Sequence, residues 1–384
     1  MYILLISRGI PTKQDPQWGS FELDQAKALQ RLGHKVVVLA VDSRIRMQNH
    51  KETMTYCNID GIDCYSVSSI MSCLIGLLGW KFRTSYYECV YSTTYERICN
   101  DHGKPDLIYS HYLGRSYYAV KLKKKYHIPV VAIEHWSKLN NPQLPLYVKR
   151  MGKETYDYAD KVISVSKSLK DTIKKHFNLE PIVIYNMIGE EFCSHISSFP
   201  INDKIKFVAV GSLIYRKGFE LIPKAFAKLQ LPKDKWELNI VGEGVERKNI
   251  QKLIDDNNLT NNIKLLGRKN KIEIVNILKD SNVFILPSRN ENFSVAVLEA
   301  LSCGLPVISS ICGGIRECIF DYNGLLFPVD DLDALTNAIQ HMYDNYQSYD
   351  RTLIVEDCIK RYSPNNIAKQ LTECFESVLS KNNK

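Results

Sequence analysis

No stretch of this chain approaches the roughly 18 consecutive apolar residues of a membrane span; the longest candidate, Cys73 to Trp80, is interrupted by Gly76 and Gly79. Basic residues are missing ahead of the short apolar run in the opening M-Y-I-L-L-I-S-R, which predicts a first β-strand rather than a signal peptide, and so a cytoplasmic protein. The 11 cysteines are odd in number and include no C-x-x-C pair, so neither a zinc site nor a disulfide framework is expected. Scattered reduced thiols suit the same compartment. There is no G-x-G-x-x-G, and no D-x-D leads into a phosphate-binding segment.

What is present points to a globular chain of more than one domain. At 384 residues the chain exceeds one comfortable core, and 45% apolar content is that of a globular protein, so two domains are expected. Charge is unevenly spread: residues 1–190 hold 26 Lys and Arg against 18 Asp and Glu, whereas residues 191–384 hold 24 of each. A basic half beside a neutral one suits an anionic membrane surface or a pyrophosphate-linked acceptor; an ordinary solvated surface is the other reading. Nucleic acid is not among the expected partners.

The chain is organised around Pro287 to Pro306, P-S-R-N-E-N-F-S-V-A-V-L-E-A-L-S-C-G-L-P. A buried strand, Val283 to Leu286, stops at Pro287, a polar loop follows, and a helix begins near Ser294 and ends at Gly304 ahead of Pro306. The crevice outside a strand's carboxyl end is where open α/β sheets hold ligands, and the N–H groups of Asn292 to Val295 would face it with the positive end of the helix dipole. An anion is expected there. Glu291 on the loop and Glu299 little more than one turn into the helix could reach one ligand from two sides, and a carboxylate accepting two hydroxyl hydrogen bonds suits sugar and ribose diols. A surface loop acid and a surface helix acid are the bland alternative.

Glu291, Glu299, Ala300, Cys303, Gly304, Pro306 and Val307 stand in an order that resembles the family-4 retaining glycosyltransferases, whose E-x7-E signature is followed by A-x-x-C-G-x-P-V. The resemblance extends over nearly the whole chain. A glycine-bearing loop with Gly19 precedes Leu29, Leu32, Gly33, His34 and Val36, which match the family's L-x-x-L-G-H-x-V opening. V-V-A-I-E-H-W-S (Val130 to Ser137) is similar to the segment whose histidine faces the donor sugar. A-D-K-V-I-S-V-S (Ala159 to Ser166) and I-Y-N-M-I (Ile184 to Ile188) look like the closing strands of the first domain, with Met187 in place of the glycine that usually follows Asn186.

The fold implied is two Rossmann-like β/α/β domains facing across a cleft (GT-B), with a C-terminal helix returning to the first. Residues 1–191 are expected to bind acceptor and 205–360 the nucleotide-sugar, with 192–204 as linker. Residues 361–384 are expected as the returning helix, with Ser363 as cap, Pro364 at its first position and Ile367, Leu371, Phe375 and Val378 as its apolar stripe. Ile70, Leu74, Leu77 and Leu78 could form another helix face, ending at Trp80, Lys81 and Arg83, that is either core or an interfacial patch for a lipid-linked acceptor.

By resemblance Glu299 would bind the donor ribose, Glu291 the transferred sugar, and the amides near Asn292, Phe293, Ser294 and Val295 the phosphates. The G-E-G turn at Gly242 and Arg268 would lie near the base. Lys217 follows the strand Ile205 to Val210, which runs into Gly211, and would meet the diphosphate; the family's usual arginine place holds Ser212, with Arg216 beside Lys217. His135 carries over as the donor-facing histidine. Gly19 is either a close approach to a phosphate or acceptor group or a turn glycine, and His111, also after a strand on the ligand-facing edge, either faces the ligand or has a helix-capping or packing role. The implied reaction is retaining transfer of a hexosyl group from a nucleoside-diphosphate sugar to a glycan, lipid-linked at the cytoplasmic membrane face, in surface polysaccharide synthesis such as lipopolysaccharide or capsule. Uridine is favoured over guanosine as the base, and neither cofactor nor metal is expected. The rivals are a nucleotide-sugar 2-epimerase and a non-catalytic nucleotide-sugar-binding module.

Overall fold

Runs without polar alternation, Ile3 to Ile6 and Val36 to Val41, are strands buried on both faces, the pattern of a parallel sheet covered by helices on either side. The computed structural model describes residues 1–12, 15–42, 53–68, 79–193 and 203–382. The chain divides into two units: residues 1–165, 170–184 and 367–384 form one, and residues 166–169 and 185–366 the other.

The first unit has a sheet in the order β3-β4-β2-β1-β5-β6-β7-β8, from β1 (Tyr2–Ser7), β2 (Lys35–Asp42), β3 (Thr53–Ile59), β4 (Ile62–Ser68), β5 (Leu107–His111), β6 (Val130–Glu134), β7 (Lys161–Ser164) and β8 (Ile182–Val183). All its pairings are parallel except β3 with β4. The helices between strands are α1 (Ser20–Arg31), α2 (Trp80–His102), α3 (Leu113–Tyr126), α4 (Leu146–Tyr158) and α5 (Lys167–Phe177). A final helix, Pro364–Asn382, gives this unit everything from Ile367 onward. Its stripe of Ile367, Leu371, Phe375 and Val378 is buried, the Phe375 ring lies 5.0 Å from Tyr109 of β5, and Thr372 bonds to His34 at 2.9 Å.

The second unit is a six-stranded parallel sheet in the order β11-β10-β9-β12-β13-β14, from β9 (Ile205–Val210), β10 (Trp236–Val241), β11 (Ile263–Gly267), β12 (Val283–Leu286), β13 (Val307–Ser310) and β14 (Gly324–Phe327). Its helices are α6 (Leu221–Lys228), α7 (Arg247–Asp256), α8 (Lys271–Lys279), α9 (Val295–Ser302), α10 (Leu332–Asn345) and α11 (Arg351–Tyr362). Asn270 and Glu273 form a reciprocal capping box at the start of α8. Among the described residues no helix is long and apolar enough to cross a membrane.

Several expectations need correction. The first unit yields to the second at Tyr185 rather than after residue 191, because Tyr185 packs on Phe293 at 4.8 Å and Phe192, at the expected start of the linker, is buried. Residues 194–202 of that linker lie outside the described residues. The return to the first unit begins at Ile367, not residue 361. I-Y-N-M-I is irregular backbone and the strand before it, β8, is two residues long. Trp80, Lys81 and Arg83 open a helix rather than close one, and Ile70, Leu74, Leu77 and Leu78 lie outside the described residues.

Because Phe375 has no exposure and lies against Tyr109, Phe375→Ala should cost the first unit about 3–5 kcal/mol. Amide exchange should quicken in β1 and β5 and stay unchanged in β9 and β12; equal acceleration in both units would contradict this packing.

Candidate functional site

The second sheet turns back on itself at β9. The chain moves outward through β10 and β11 on one side, then returns to build β12, β13 and β14 on the other. A parallel sheet opens at such a reversal, because the loops after the two central strands leave in opposite directions. Here those loops are 211–220 after β9 and 287–294 after β12, and they carry Lys217 and Glu291.

The two loops are fastened together. The Arg289 N–H donates to the Arg216 carbonyl at 2.8 Å, and its guanidinium reaches the Tyr215 carbonyl and the Glu220 carboxylate, both at 2.5 Å. A Cβ on Gly218, where φ is 66°, would fall 2.1 Å from the Pro287 carbonyl oxygen, and one on Gly313, where φ is 52°, would fall 1.6 Å from that of Glu291. Only glycine allows the neighbouring backbone to close in on the two ends of the segment from Pro287 to Glu291.

Inside this enclosure the Lys217 Nζ is 2.5 Å from Glu291 Oε1, the Ser288 hydroxyl donates to the same oxygen at 2.8 Å, and Arg216 Nη1 is 3.5 Å from Oε2. Arg216 is held there by donating to the Asn290 carbonyl at 2.6 Å. Burial by itself would raise the Glu291 pKa, but the charges of Lys217 and Arg216 outweigh it and hold the carboxyl below its usual range. Two cations against one carboxylate leave the group with net positive charge.

Beside it lies the start of α9. Ser294 occupies the N-cap position without a side-chain cap, so the first N–H groups keep the unmet donor capacity of a helix start. Phe293 supplies only backbone: its ring is packed between Tyr185 and Tyr362, and its carbonyl accepts a 2.8 Å bond from Asn186 Nδ2. Asn292 is buried and its carbonyl accepts from the Gly314 N–H. Val295 begins the helix, and Glu299 is half-buried little more than one turn in. Gly211 bonds through its N–H to the Val241 carbonyl, Gly242 lies against the Gly211 backbone, and Ser212 is exposed. Arg268 is exposed after β11, two strands removed from β9.

His135 and Gly19 belong to the first unit, whose sheet reverses at β1 and β5. Glu134, fully buried at the end of β6, accepts the N–H groups of His135 at 2.9 Å and Trp136 at 2.7 Å and the Tyr156 hydroxyl at 2.9 Å, which turns the chain and sets His135 in place. The His135 ring stacks on that of His111 with centroids 5.3 Å apart and planes 4° from parallel. His111 packs rather than caps: Tyr112 takes the cap position of α3, and burial, aided by the charge of Arg8, lowers the His111 pKa to about 3. Gly19 precedes α1 at φ 76° with its Cα against the Gly9 carbonyl, so the turn itself demands glycine.

Sequence reasoning missed three residues here. Arg8 bonds to the buried Glu22 at 2.6 Å and lies over the Tyr112 ring at 4.4 Å, and Tyr112 holds φ at 65°, a strained value for a bulky side chain. Arg289 was passed over as a loop cation. Glu134 was visible only as part of the histidine segment.

Because the folded-state pKa of Glu291 is depressed, its ion pairs stabilise the fold fully above the ordinary carboxylate range and lose that effect as pH falls through the folded value. The melting temperature of the native protein should therefore exceed that of Glu291→Gln at pH 7, and the gap should shrink as pH drops below the ordinary glutamate pKa of 4.5. A gap that is constant from pH 7 to pH 3 would show that the ion pairs carry no such linkage.

Comparison with known proteins bears on the family and the fold. Residues 22–192 match the family described as Glycosyltransferase Family 4 and residues 194–353 that described as Glycosyl transferases group 1, together well over half of the chain. An uncharacterized glycosyltransferase of Methanocaldococcus jannaschii is 29% identical over 62% of this chain and 66% of its own length. The chain thus aligns with less than two thirds of that relative, and with 60% and 63% of two others from the same organism. Among solved structures, sucrose-phosphate synthase from Thermosynechococcus elongatus superposes with a TM-score of 0.78 at 20% identity, over 99% of this chain and 100% of the other. Anabaena HepE in complex with UDP-glucose superposes with a TM-score of 0.73 at 18% identity, over 98% and 100%. These likenesses establish a shared fold, that of the GT-B glycosyltransferases. With its two halves matched in turn by the two family descriptions, the chain belongs to the family-4 glycosyltransferases.

Proposed function

We propose that this protein is a retaining glycosyltransferase that moves a hexosyl group from a nucleoside-diphosphate sugar, uridine diphosphate first among them, to a glycan acceptor on a lipid carrier. The observation that carries the reading is the contact of Lys217 and Arg216 with Glu291 at the strand reversal, beside an uncapped helix start. A diphosphate gains charge as it leaves, and two cations together with helix N–H groups are preorganised to receive that charge. Glu299 takes the ribose hydroxyls, and Glu291 orients the transferred sugar. The acceptor hydroxyl attacks the anomeric carbon from the face the diphosphate leaves, the bond to the diphosphate oxygen breaks, and a phosphate oxygen accepts the hydroxyl proton. Glu291 acts by position and charge rather than as a covalent nucleophile, since it is already ion-paired.

The acceptor's lipid carrier, the place of the reaction at the cytoplasmic membrane face and a role in surface polysaccharide synthesis rest on the basic first half of the chain and on the family resemblance. Anabaena HepE, which binds UDP-glucose in a similar fold, favours a uridine donor.

The test is release of uridine diphosphate from UDP-hexose with and without a membrane extract. Acceptor-dependent release is expected; conversion without acceptor would favour the epimerase, and binding without turnover a non-catalytic module. Lys217→Ala and Glu291→Ala should each lower turnover by about 100-fold or more. Glu299→Ala should weaken UDP binding, followed by thermal shift, by about tenfold or more. Full turnover in Lys217→Ala would refute the assignment.

A further inference from the structure

The outer hairpin of the first unit's sheet holds two thiols face to face. Its strands, β3 and β4, pair antiparallel around the two-residue turn Asp60-Gly61, and the register sets Cys57 directly opposite Cys64. Tyr65 meets His102 of α2 with ring centroids 5.7 Å apart, so Cys64, one residue earlier, points to the opposite face of the sheet. Cross-strand partners share a face, and Cys57 lies on that face too. The two sulfur atoms are in hydrogen-bonding contact.

Two properties make the pair closable. Directly opposed residues of an antiparallel pair keep their Cα atoms about 4.5–5.5 Å apart, and a disulfide needs about 4.4–6.8 Å, so side-chain rotation can join the sulfurs. Access also differs between the two. Cys64 has no exposure, whereas Cys57 is half-buried on the outermost strand, which pairs only with β4 among the described residues. A small reagent therefore meets Cys57 first. The turn beyond the pair is fixed from α1: the Lys27 Nζ lies 2.5 Å from the Asp60 carboxylate, and Gln30 Nε2 donates to the Gly61 carbonyl at 2.9 Å. With the turn held, the hairpin resists a slip in register, and the thiols stay opposed.

We propose that Cys57 and Cys64 form a reversible redox latch, a dithiol that a low-molecular-weight disulfide such as glutathione disulfide closes to a cross-strand bond tying β3 to β4. The latch lies outside the transfer chemistry and stands without it. The Cys57 thiolate attacks one sulfur of glutathione disulfide, that S–S bond breaks, and one glutathione leaves as thiolate. Cys64, having given its proton to solvent, attacks the Cys57 sulfur of the mixed disulfide and expels the second glutathione. Two protein thiols are oxidised, one glutathione disulfide is reduced to two thiols, and the leaving thiolates take up the protons that the cysteines release. Excess reduced glutathione reverses both steps. Burial raises the pKa of both cysteines, that of Cys64 to about 12; at Cys64, Cys57 and Asp63 of β4 add to the rise and Lys27 of α1 opposes it, whereas contact with Cys64 lowers Cys57. The first thiolate thus forms at Cys57, and closure quickens as pH rises.

The test is incubation of the native full chain with oxidised glutathione, then cleavage at aspartate and mass spectrometry. Asp60 and Asp63 lie between the two cysteines, so the cut fragments should stay joined, Cys57 to Cys64, until a reductant is added. The exposed Cys89 should carry glutathione in the same sample, which shows that the oxidant was active. Closure should quicken by about tenfold per pH unit near neutrality. The yield of the bond relative to the glutathione adduct of Cys57 should fall by about tenfold or more in urea, where the register is lost. Amide exchange in β3 and β4 should slow on closure and stay unchanged in β9 and β12. In Cys57→Ser, Cys64 should remain a free thiol. The proposal fails if Cys57 and Cys64 stay reduced, or Cys57 holds glutathione at equilibrium, while Cys89 reacts. It fails equally if the bond forms as well in urea, if β3 and β4 exchange as before, or if Cys64 of Cys57→Ser reacts as Cys89 does.

Discussion

A carboxylate with 6% of its surface exposed can stay ionised only if cations are held against it, and that requirement governs the second unit. Lys217 and Arg216 come from the loop after β9, Glu291 from the loop after β12, so the ion pairs form only if both loops leave the sheet at the correct height. Arg289 secures that height through carbonyl and carboxylate partners on the first loop, and Gly218 and Gly313 remove the side chains that would block it. Such pairs add little net stability, because desolvation offsets attraction, but loss of one partner strands a buried charge. Their role is geometric: they hold a net positive group rigid at the opening of the sheet.

The first unit fills the corresponding place with a different arrangement. At the ends of β5 and β6 two imidazole rings lie flat on each other, and the inner one, His111, is kept neutral by burial and by the nearby Arg8. A protonated His111 would repel Arg8, and burial makes that charge more costly still. Arg8 in turn is matched by Glu22, which has no exposure. The result is a polar but charge-balanced floor beneath His135, in contrast to the unbalanced cations around Glu291.

Strands were legible in the chain because their side chains face a core on both sides, and β12 has the bounds, Val283 to Leu286, that its apolar run predicts. The helix start at Ser294 was legible too, from the polar loop before it and Gly304 after it. What was not legible depended on contacts distant in sequence. Arg289 reads as one more loop cation until Glu220 and the Tyr215 carbonyl are brought to it. Arg8 gains meaning only once Tyr112, 104 positions later, comes beneath it. The β3–β4 hairpin had a local signal that was passed over, Asp60-Gly61, both at positive φ as a tight two-residue turn requires. Phe192 was read as linker because its neighbours are serine and proline, whereas its burial is decided by helices that follow much later.

The departure at Ser212 is the sharpest case of position against geometry. A serine where the family resemblance implies arginine removes one cation next to the strand end, and spacing alone leaves open whether Arg216, four residues later, replaces it. In the folded unit the short 3-10 turn Tyr215–Lys217 curls back toward β12, and this brings the Arg216 guanidinium to the Asn290 carbonyl and within 3.5 Å of Glu291. Charge at this opening is therefore set by the curvature of the loop rather than by residue order. A leaving diphosphate responds to the field at its own oxygens, whichever residue supplies the charge. With Lys217 2.5 Å from Glu291 and 12% exposed, and Arg216 3.5 Å away and 36% exposed, Arg216 is the less enclosed of the two cations at this opening.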